Sequence, residues 1–593
     1  MVRPGGWLIP ALAALLVMTT IVQGCSRQGE PPSHAAGSGD DAFRRLASEI
    51  LEFTYKRDPS NATYLGIHKY DTIIRDYSAA GVKSDVEAIK SFQGRLNDVD
   101  TEALSLDAQL DLEQTKQALE GMRLHDEVIK PWAKDPDTYS SGITNDAYVI
   151  ISRTFAPPED RLKSLIARLK LMPGALGEAR KNLDNPPRVY TEIAIEQLDG
   201  NRGFFETDVP DAFTGVKDAA VLAEFKRADD AVMAALEDYK GWLQNDLLPR
   251  SNGSFAYGED TYRKVLAADE MITAPLPDLL SVAEADLKRN QQAFDDAARR
   301  IDPAKPPSDV FAAMQKDFPP ASQLLAVTQH DLDSLAQFVR DKGIIDVPQA
   351  PPAQVKETPP FMRATTSASM DTPGPFEKVA TEAYFYMTLP DPSWPQSEQD
   401  DFMSQWYKPS ISNVSVHEVW PGHYVQFLYA KDYPSDVRKV FGAASNFEGW
   451  AHYCEQMMLD EGLHADDPHY RLAEVQDALL RDVRFIVGIK LHTHGMTVEQ
   501  AQDMFVKDAY QPKPVAESEA KRGTSDATYG YYTMGKLMIL KLRDDYRGED
   551  GRRVLIEGFP RRVHQARAAS IATDPQGDAR RDRQSVLGAT GWN

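Results

Sequence analysis

The chain has 593 residues, of which 42% are hydrophobic and 26% charged, the balance of a globular protein able to bury a large core. Lys and Arg total 66 against 89 Asp and Glu, a net charge of −23 at pH 7. So acidic a surface excludes non-specific nucleic-acid binding, which depends on neutralising phosphates.

Residues 1–25 read as a targeting segment. Arg3 supplies a basic start, and Trp7 to Val22 is an uncharged apolar run, long enough for a signal-peptide core and short for a membrane span. Val22-Gln23-Gly24-Cys25 resembles a bacterial lipobox, which implies cleavage before Cys25 and acylation of its thiol. The expected location is therefore extracytoplasmic, lipid-anchored to a bacterial membrane at the periplasmic face or cell surface; Ser26 after the cysteine favours the outer membrane. Cys454 is the only other cysteine, so a lipidated chain has no internal disulfide and is held together by packing and any bound metal. Cys454 itself reads as a small buried side chain.

Residues 26–40, rich in Gly, Ser and Pro, read as a flexible tether. From residue 41 to 546 apolar residues recur at helical spacing, in Phe43 to Tyr55, Val86 to Asp126, Ala156 to Leu183, Lys217 to Leu247 and Leu279 to Ile301. Pro173 and Gly174 predict that the third of these is two helices. Residues 345–360 carry five prolines and read as a linker, either between two lobes facing a cleft or within a single domain. Thr381 to Leu389, dense in aromatic and β-branched residues, predicts a strand. Helical patterns then resume over 402–430, 446–463, 467–494, 497–509 and 529–546. The expected fold is mainly α, a large helical body with a small β-sheet near an active-site cleft. Residues 547–593 form a basic tail, with Arg561, Arg562, Arg567, Arg580, Arg581 and Arg583.

The densest chemistry lies in Val416-His417-Glu418-Val419-Trp420-Pro421-Gly422-His423. Metallopeptidase helices usually carry two histidines at i and i+4, on one face. Here they stand at i and i+6, which a regular helix would turn about 240° apart. Pro421 cannot continue a helix normally and Gly422 allows unusual backbone angles, so a break there can swing His423 back towards His417. A catalytic zinc takes three protein ligands and keeps one position open. Glu448, His452 and Glu455, at i, i+4 and i+7 of a second helical stretch, are the candidates for the third. Glu418 stands where a general base is needed.

These residues resemble the bacterial DUF885 family, relatives of gluzincin-like metallopeptidases. Its His-Glu-x-x-Pro-Gly-His pattern is matched by His417, Glu418, Pro421, Gly422 and His423, and its Glu-Gly-Trp-Ala by Glu448 to Ala451, with Glu455 beyond. Weaker matches run from Ala62-Thr63-Tyr64-Leu65-Gly66 and Tyr70-Asp71, through Arg481 to Phe485 and His492, to Glu519 to Arg522 and Tyr532 to Gly535. The resemblance implies a gluzincin-like helical body with His417, His423 and Glu448 as metal ligands and Glu418 as base. It departs at His452, where an apolar residue is expected, and in the tail.

The remaining roles follow from what peptide hydrolysis requires. Donors must meet the negative charge that builds on the carbonyl oxygen, and His492, Tyr529, Tyr532 and Arg484 are available, with Tyr532 and His492 preferred as catalytic groups. Arg522 is a candidate clamp for a substrate carboxylate, beside Arg484 and Tyr529 as substrate-binding residues. Glu455 is placed to orient a ligating histidine. Gly530 to Lys536 imitates a phosphate loop, but Leu537 stands where Ser or Thr must bind magnesium, and there is no Gly-x-Ser-x-Gly elbow. The expected function is hydrolysis of extracytoplasmic peptides with one zinc ion per chain. Two alternatives are a metallohydrolase of another amide or ester, such as a cell-wall fragment, and a non-catalytic ligand-binding surface lipoprotein. An intact Glu418 argues against the latter. Oligomeric state is not encoded in any of these features.

Overall fold

The computed structural model describes residues 37–359, 362–363 and 366–550, with side chains through 545. The signal segment, Cys25 and the tail beyond 550 lie outside the described residues, as does nearly all of the tether. Asp40, the last tether residue, already belongs to the folded body. It opens the first helix, and its carboxylate accepts from the amide and hydroxyl of Ser105, both at 2.8 Å.

The fold is mainly α with one small sheet. The principal helices are α1 (Asp40–Arg57), α2 (Ala79–Asn97), α3 (Leu106–Leu124), α4 (Asp137–Ile151), α5 (Arg188–Gly203), α6 (Ala219–Trp242), α7 (Leu276–Ile301), α8 (Leu324–Lys342), α9 (Lys408–Glu418), α10 (His423–Ala430), α11 (Ala444–Asp460), α12 (Pro468–Thr493), α13 (Lys513–Ser525) and α14 (Tyr531–Asp550). The long pattern from Val86 to Asp126 is broken into α2 and α3. Polar caps cause the break: the Asp100 side chain caps a short turn, and Ser105 accepts from the amide of Ala108 to start α3. The stretch from Ala156 to Leu183 is indeed two helices, Pro158–Leu169 and Met172–Asn182. Helices α4, α5, α8 and α13 were not among the expected ones, because their apolar stripes are interrupted by polar residues that the structure buries, such as Ser140, Thr144 and Asp146 in α4.

Segments on either side of the proline-rich stretch meet in one core. Leu279, Ala283, Leu287 and Phe294 of α7 share one core with Leu479, Val483, Ile486 and Val487 of α12, so residues on both sides of 345–360 are packed together. A second core gathers Tyr139, Leu165, Phe204, Val232 and Tyr239 from the amino-terminal helices. A third joins α1 and α3 to Val437 and Phe441, just ahead of α11.

The sheet has strand order β1-β3-β2, with β1 (Gln354–Glu357), β2 (Ala368–Asp371) and β3 (Tyr384–Met387). The predicted linker thus contributes β1, which runs parallel to β3, while β2 is antiparallel to it. The predicted strand is β3, shorter than expected and central. Its backbone is paired on both sides, so it has no edge to offer. Among the described residues the outer strands are β1, whose Val355 amide donates to Gln329 Oε1 at 3.0 Å, and β2, which packs against α9.

Candidate metal centre

Helix α9 ends at Glu418 and α10 begins at His423. Between them the chain doubles back tightly: the amides of Val419 and Trp420 reach the Ser415 carbonyl at 3.0 and 3.2 Å, and Gly422 N–H reaches Val416 O at 3.0 Å. Only glycine fits this approach, since a Cβ on residue 422 would lie 1.7 Å from the His417 carbonyl oxygen. The indole N–H of Trp450, fully buried in α11, donates to Pro421 O at 2.9 Å and fixes the break. The turn brings the His417 and His423 rings to 4.8 Å between centroids at 88°. The break expected at Pro421-Gly422 therefore does undo the divergence of an i, i+6 pair.

Helix α11 delivers the third group. Nε2 of His417 and Nε2 of His423 each lie 3.3 Å from Oε2 of Glu448. The three ligand atoms fall within 4.8 Å of one another. Tetrahedral zinc bonded at about 2.0–2.1 Å sets its ligands about 3.3 Å apart. Nδ1 of His423 and Oε2 of Glu448 are buried without a hydrogen bond. The donor set and its spacing thus fit a zinc-type ion, and Glu418, buried beside His417, completes the motif.

Glu455 stands behind His417. Its Oε1 takes the Nδ1–H of His417 at 2.6 Å, which leaves Nε2 directed at Glu448. The same carboxylate pairs with Arg481 at 3.0 Å and with Nδ1 of His452 at 3.1 Å. Asn413 reaches it at 3.4 Å and ties it to Asp477 at 2.6 Å. Burial disfavours charge on Glu455, yet Arg481 and the two histidines hold it well below the usual carboxylate range. Burial likewise opposes charge on His417, but the Glu448 and Glu455 carboxylates beside it carry it up to about 10. His452 is fully buried and turned to Glu455, outside the ligand group. Of the three candidates for third ligand, Glu448 is the one that meets Nε2 of both His417 and His423.

Helix α14 crosses α11 at a glycine pair: a Cβ on Gly449 would lie 2.4 Å from Gly535 Cα, and one on Gly535 would lie 1.9 Å from Ser445 O. That crossing sets the Tyr532 ring near the His417 ring, 6.4 Å between centroids. The guanidinium carbons of Arg484 and Arg481 lie 5.1 and 5.5 Å from the Tyr532 ring.

Other predicted site residues are placed elsewhere or otherwise engaged. Arg484 is forked onto Glu519 by two bonds of 2.7 Å from Nε and Nη2 and is largely enclosed by the protein. Tyr529 is fully buried among α12, α13 and Arg522. His492 lies eleven residues beyond Arg481 on α12, about 16 Å along the axis. It is enclosed by Phe255, Tyr257 and Tyr262, bonded to Gly523 O at 2.9 Å, and held neutral by burial, which pushes it down to about 4. His492 and Tyr529 are thus core groups apart from the cluster, whereas Tyr532, and Arg522 through it, adjoin the centre. Asn413, Asp477, Tyr531, Asp526 and Arg481 carry no role predicted from the sequence, Arg481 standing only within a family signature. Its place in a recognisable signature was the one available signal.

Fold and site together define a mainly α protein with a two-histidine, one-glutamate cluster, its histidines buried and its glutamate half-buried, assembled from three helices. A family model of bacterial proteins of unknown function (DUF885) matches residues 59–564, and the chain belongs to that family. Its fold is similar to that of a candidate lipoprotein of unknown function from Shewanella oneidensis, with a TM-score of 0.74, 25% identity, and coverage of 89% of this chain and 98% of that one. A candidate lipoprotein from Colwellia psychrerythraea is similar with a TM-score of 0.75 at 16% identity, over 90% of this chain and 98% of that one. No curated protein matches the chain.

Proposed function

We propose that this protein is a zinc-dependent hydrolase of peptide bonds in extracytoplasmic peptides. The observation that carries the reading is the convergence of His417 and His423 on Glu448 at 3.3 Å, with Glu455 orienting His417 from behind. An ion held by His417, His423 and Glu448 supplies Lewis acidity towards water and the scissile carbonyl. Glu418 takes the proton of the attacking water as its oxygen adds to the carbonyl carbon, then returns it to the nitrogen as the C–N bond breaks. Tyr532, kept neutral above the usual tyrosine range by burial and by Glu448, is a donor for the carbonyl oxygen.

The outer strand β2 beside α9 favours a peptide over a sugar or simple ester, since an extended chain can add to it by backbone bonding. In this reading the enzyme works outside the cytoplasm, tethered through Cys25, as the lipoprotein descriptions of the two relatives support.

The test is elemental analysis of the chain from Ser26 onward, beside Glu418→Gln and a His417→Ala, His423→Ala double variant, with a peptide panel and muropeptides as substrates. About one zinc per chain, absent from the double variant, and a loss of turnover of about 10²–10⁴-fold in Glu418→Gln with zinc retained, is the expected result. Absence of zinc uptake, or full activity of Glu418→Gln, would overturn it.

A further inference from the structure

In a chain of net charge −23, three arginines meet around one tyrosine beside the metal centre. Two of them are nearly enclosed by the protein. Arg481 is held by Glu455 at 3.0 Å and by the Asp477 carbonyl at 3.0 Å, and Arg484 is forked onto Glu519. Their side chains are 11% and 10% exposed. Arg522 differs. Its side chain is 37% exposed, and it donates to Asp526 from Nε and Nη2, at 3.2 and 2.9 Å. Tyr531 braces the same pair, accepting from Arg522 at 3.2 Å and donating to Asp526 at 3.1 Å. Arg522 also reaches the Tyr532 hydroxyl, and Tyr532 feels the charge of Glu448.

Given the hydrolase reading above, on which this rests, we propose that Arg522 and the Tyr532 hydroxyl form a site for the free carboxylate of a peptide, so that the enzyme removes residues from the C-terminus. Tyr532 lies in the gap between Arg522 and the cluster, its ring 6.4 Å from that of His417 and 4.9 Å from that of Tyr531, which accepts from Arg522 at 3.2 Å. Extended substrate advances about 3.3–3.6 Å per residue, so that gap holds one or two residues beyond the scissile bond. A planar, permanently charged guanidinium braced on one side by Asp526 and Tyr531 suits bidentate capture of a carboxylate on the other. The competing view is that Arg522 and Asp526 are an ordinary i, i+4 ion pair at the end of α13.

The experiment uses the zinc-loaded enzyme on matched pairs of short peptides, one ending in a free acid and the other in a carboxamide, with products identified by mass spectrometry. Release of one or two C-terminal residues is expected, with kcat/KM on the order of 100-fold higher for the acid, expressed mainly in KM. In Arg522→Gln that preference should collapse, and in Arg522→Lys it should partly return. Equal cleavage of acid and amide, cleavage at internal bonds, or an unchanged preference in Arg522→Gln overturns the carboxylate site while leaving the hydrolase reading intact. If no peptide of either kind is cleaved by enzyme that carries zinc, the hydrolase reading falls and this site with it. The comparison of acid with amide needs no variant, so a poorly folding Arg522→Gln would not blunt the test.

Discussion

The indole of Trp450 and the carbonyl of Pro421, 29 positions apart in sequence, are joined by a hydrogen bond of 2.9 Å in the core of the protein. One end lies in the Glu-Gly-Trp stretch and the other in the break between the two histidines, so this bond registers α11 against the α9–α10 turn. Trp450→Phe keeps the bulk but leaves a buried carbonyl without a donor, at a cost of about 1–3 kcal/mol. It should also weaken zinc binding by about 10-fold, measured by competition with a chromophoric chelator. Unchanged zinc affinity would show that the turn holds its shape without this bond.

Gly422 permits the close return of the chain. In Gly422→Ala the added carbon would meet the His417 carbonyl oxygen at 1.7 Å and the Val416 oxygen at 2.4 Å, both rigid backbone. Relieving that clash must displace His423, so zinc should be lost and the melting temperature lowered by the equivalent of about 1–3 kcal/mol. Gly174→Ala, in a helix where a Cβ meets nothing within 4 Å, is the control. It should be stabilising by about 0.5–1 kcal/mol.

Glu455→Gln removes the charge that His417 and Arg481 share. The zinc dissociation constant should rise about 10–100-fold, because His417 loses the partner that sets its tautomer and ring orientation. Stability should drop by about 3 kcal/mol, since Arg481 is left buried with a reduced counter-charge. Calorimetry of metal-free and zinc-loaded protein separates the two effects. A variant that binds zinc as tightly as the parent would remove Glu455 from the assembly.

The N-terminus of α11 offers a pH test. The buried carboxyl of Glu270 accepts from the Ser445 amide at 2.8 Å, and burial, only partly offset by Ser445, raises it to about 7. Between the ordinary glutamate value and 7 the folded state holds a proton that the unfolded chain has lost, so stability declines as pH rises through that window. The decline from this one group amounts to about 3 kcal/mol. Glu270→Gln keeps an acceptor for Ser445 and removes the titration. Its advantage over the parent in urea melts should be largest above pH 7 and vanish near pH 4.5; a pH-independent difference would contradict the assignment.

Much of the helical body was legible because long amphipathic stretches declare themselves locally. The sheet was less so: the aromatic run around Tyr384–Met387 announces a strand, but whether it sits at the edge or the centre depends on partners at 354–357 and 368–371. His492 illustrates the opposite error. Chemically it suits catalysis, yet the length of α12 carries it three turns from Arg481 and into an aromatic core.

The ingredients of the centre are written in the chain: two histidines, a glutamate between them, a helix-breaking Pro-Gly pair and a downstream Glu-Gly-Trp helix. Those are local facts of residue type and spacing, which backbone stereochemistry converts into a break at residues 419–422. Which carboxylate meets Nε2 of both histidines is a matter of packing between distant segments. Glu448 and Glu455 lie on one face of one helix, two turns apart, and their separate roles follow from the depth at which α11 is held. That depth is set by the Gly449–Gly535 crossing and the Trp450–Pro421 bond, contacts between segments far apart in the chain.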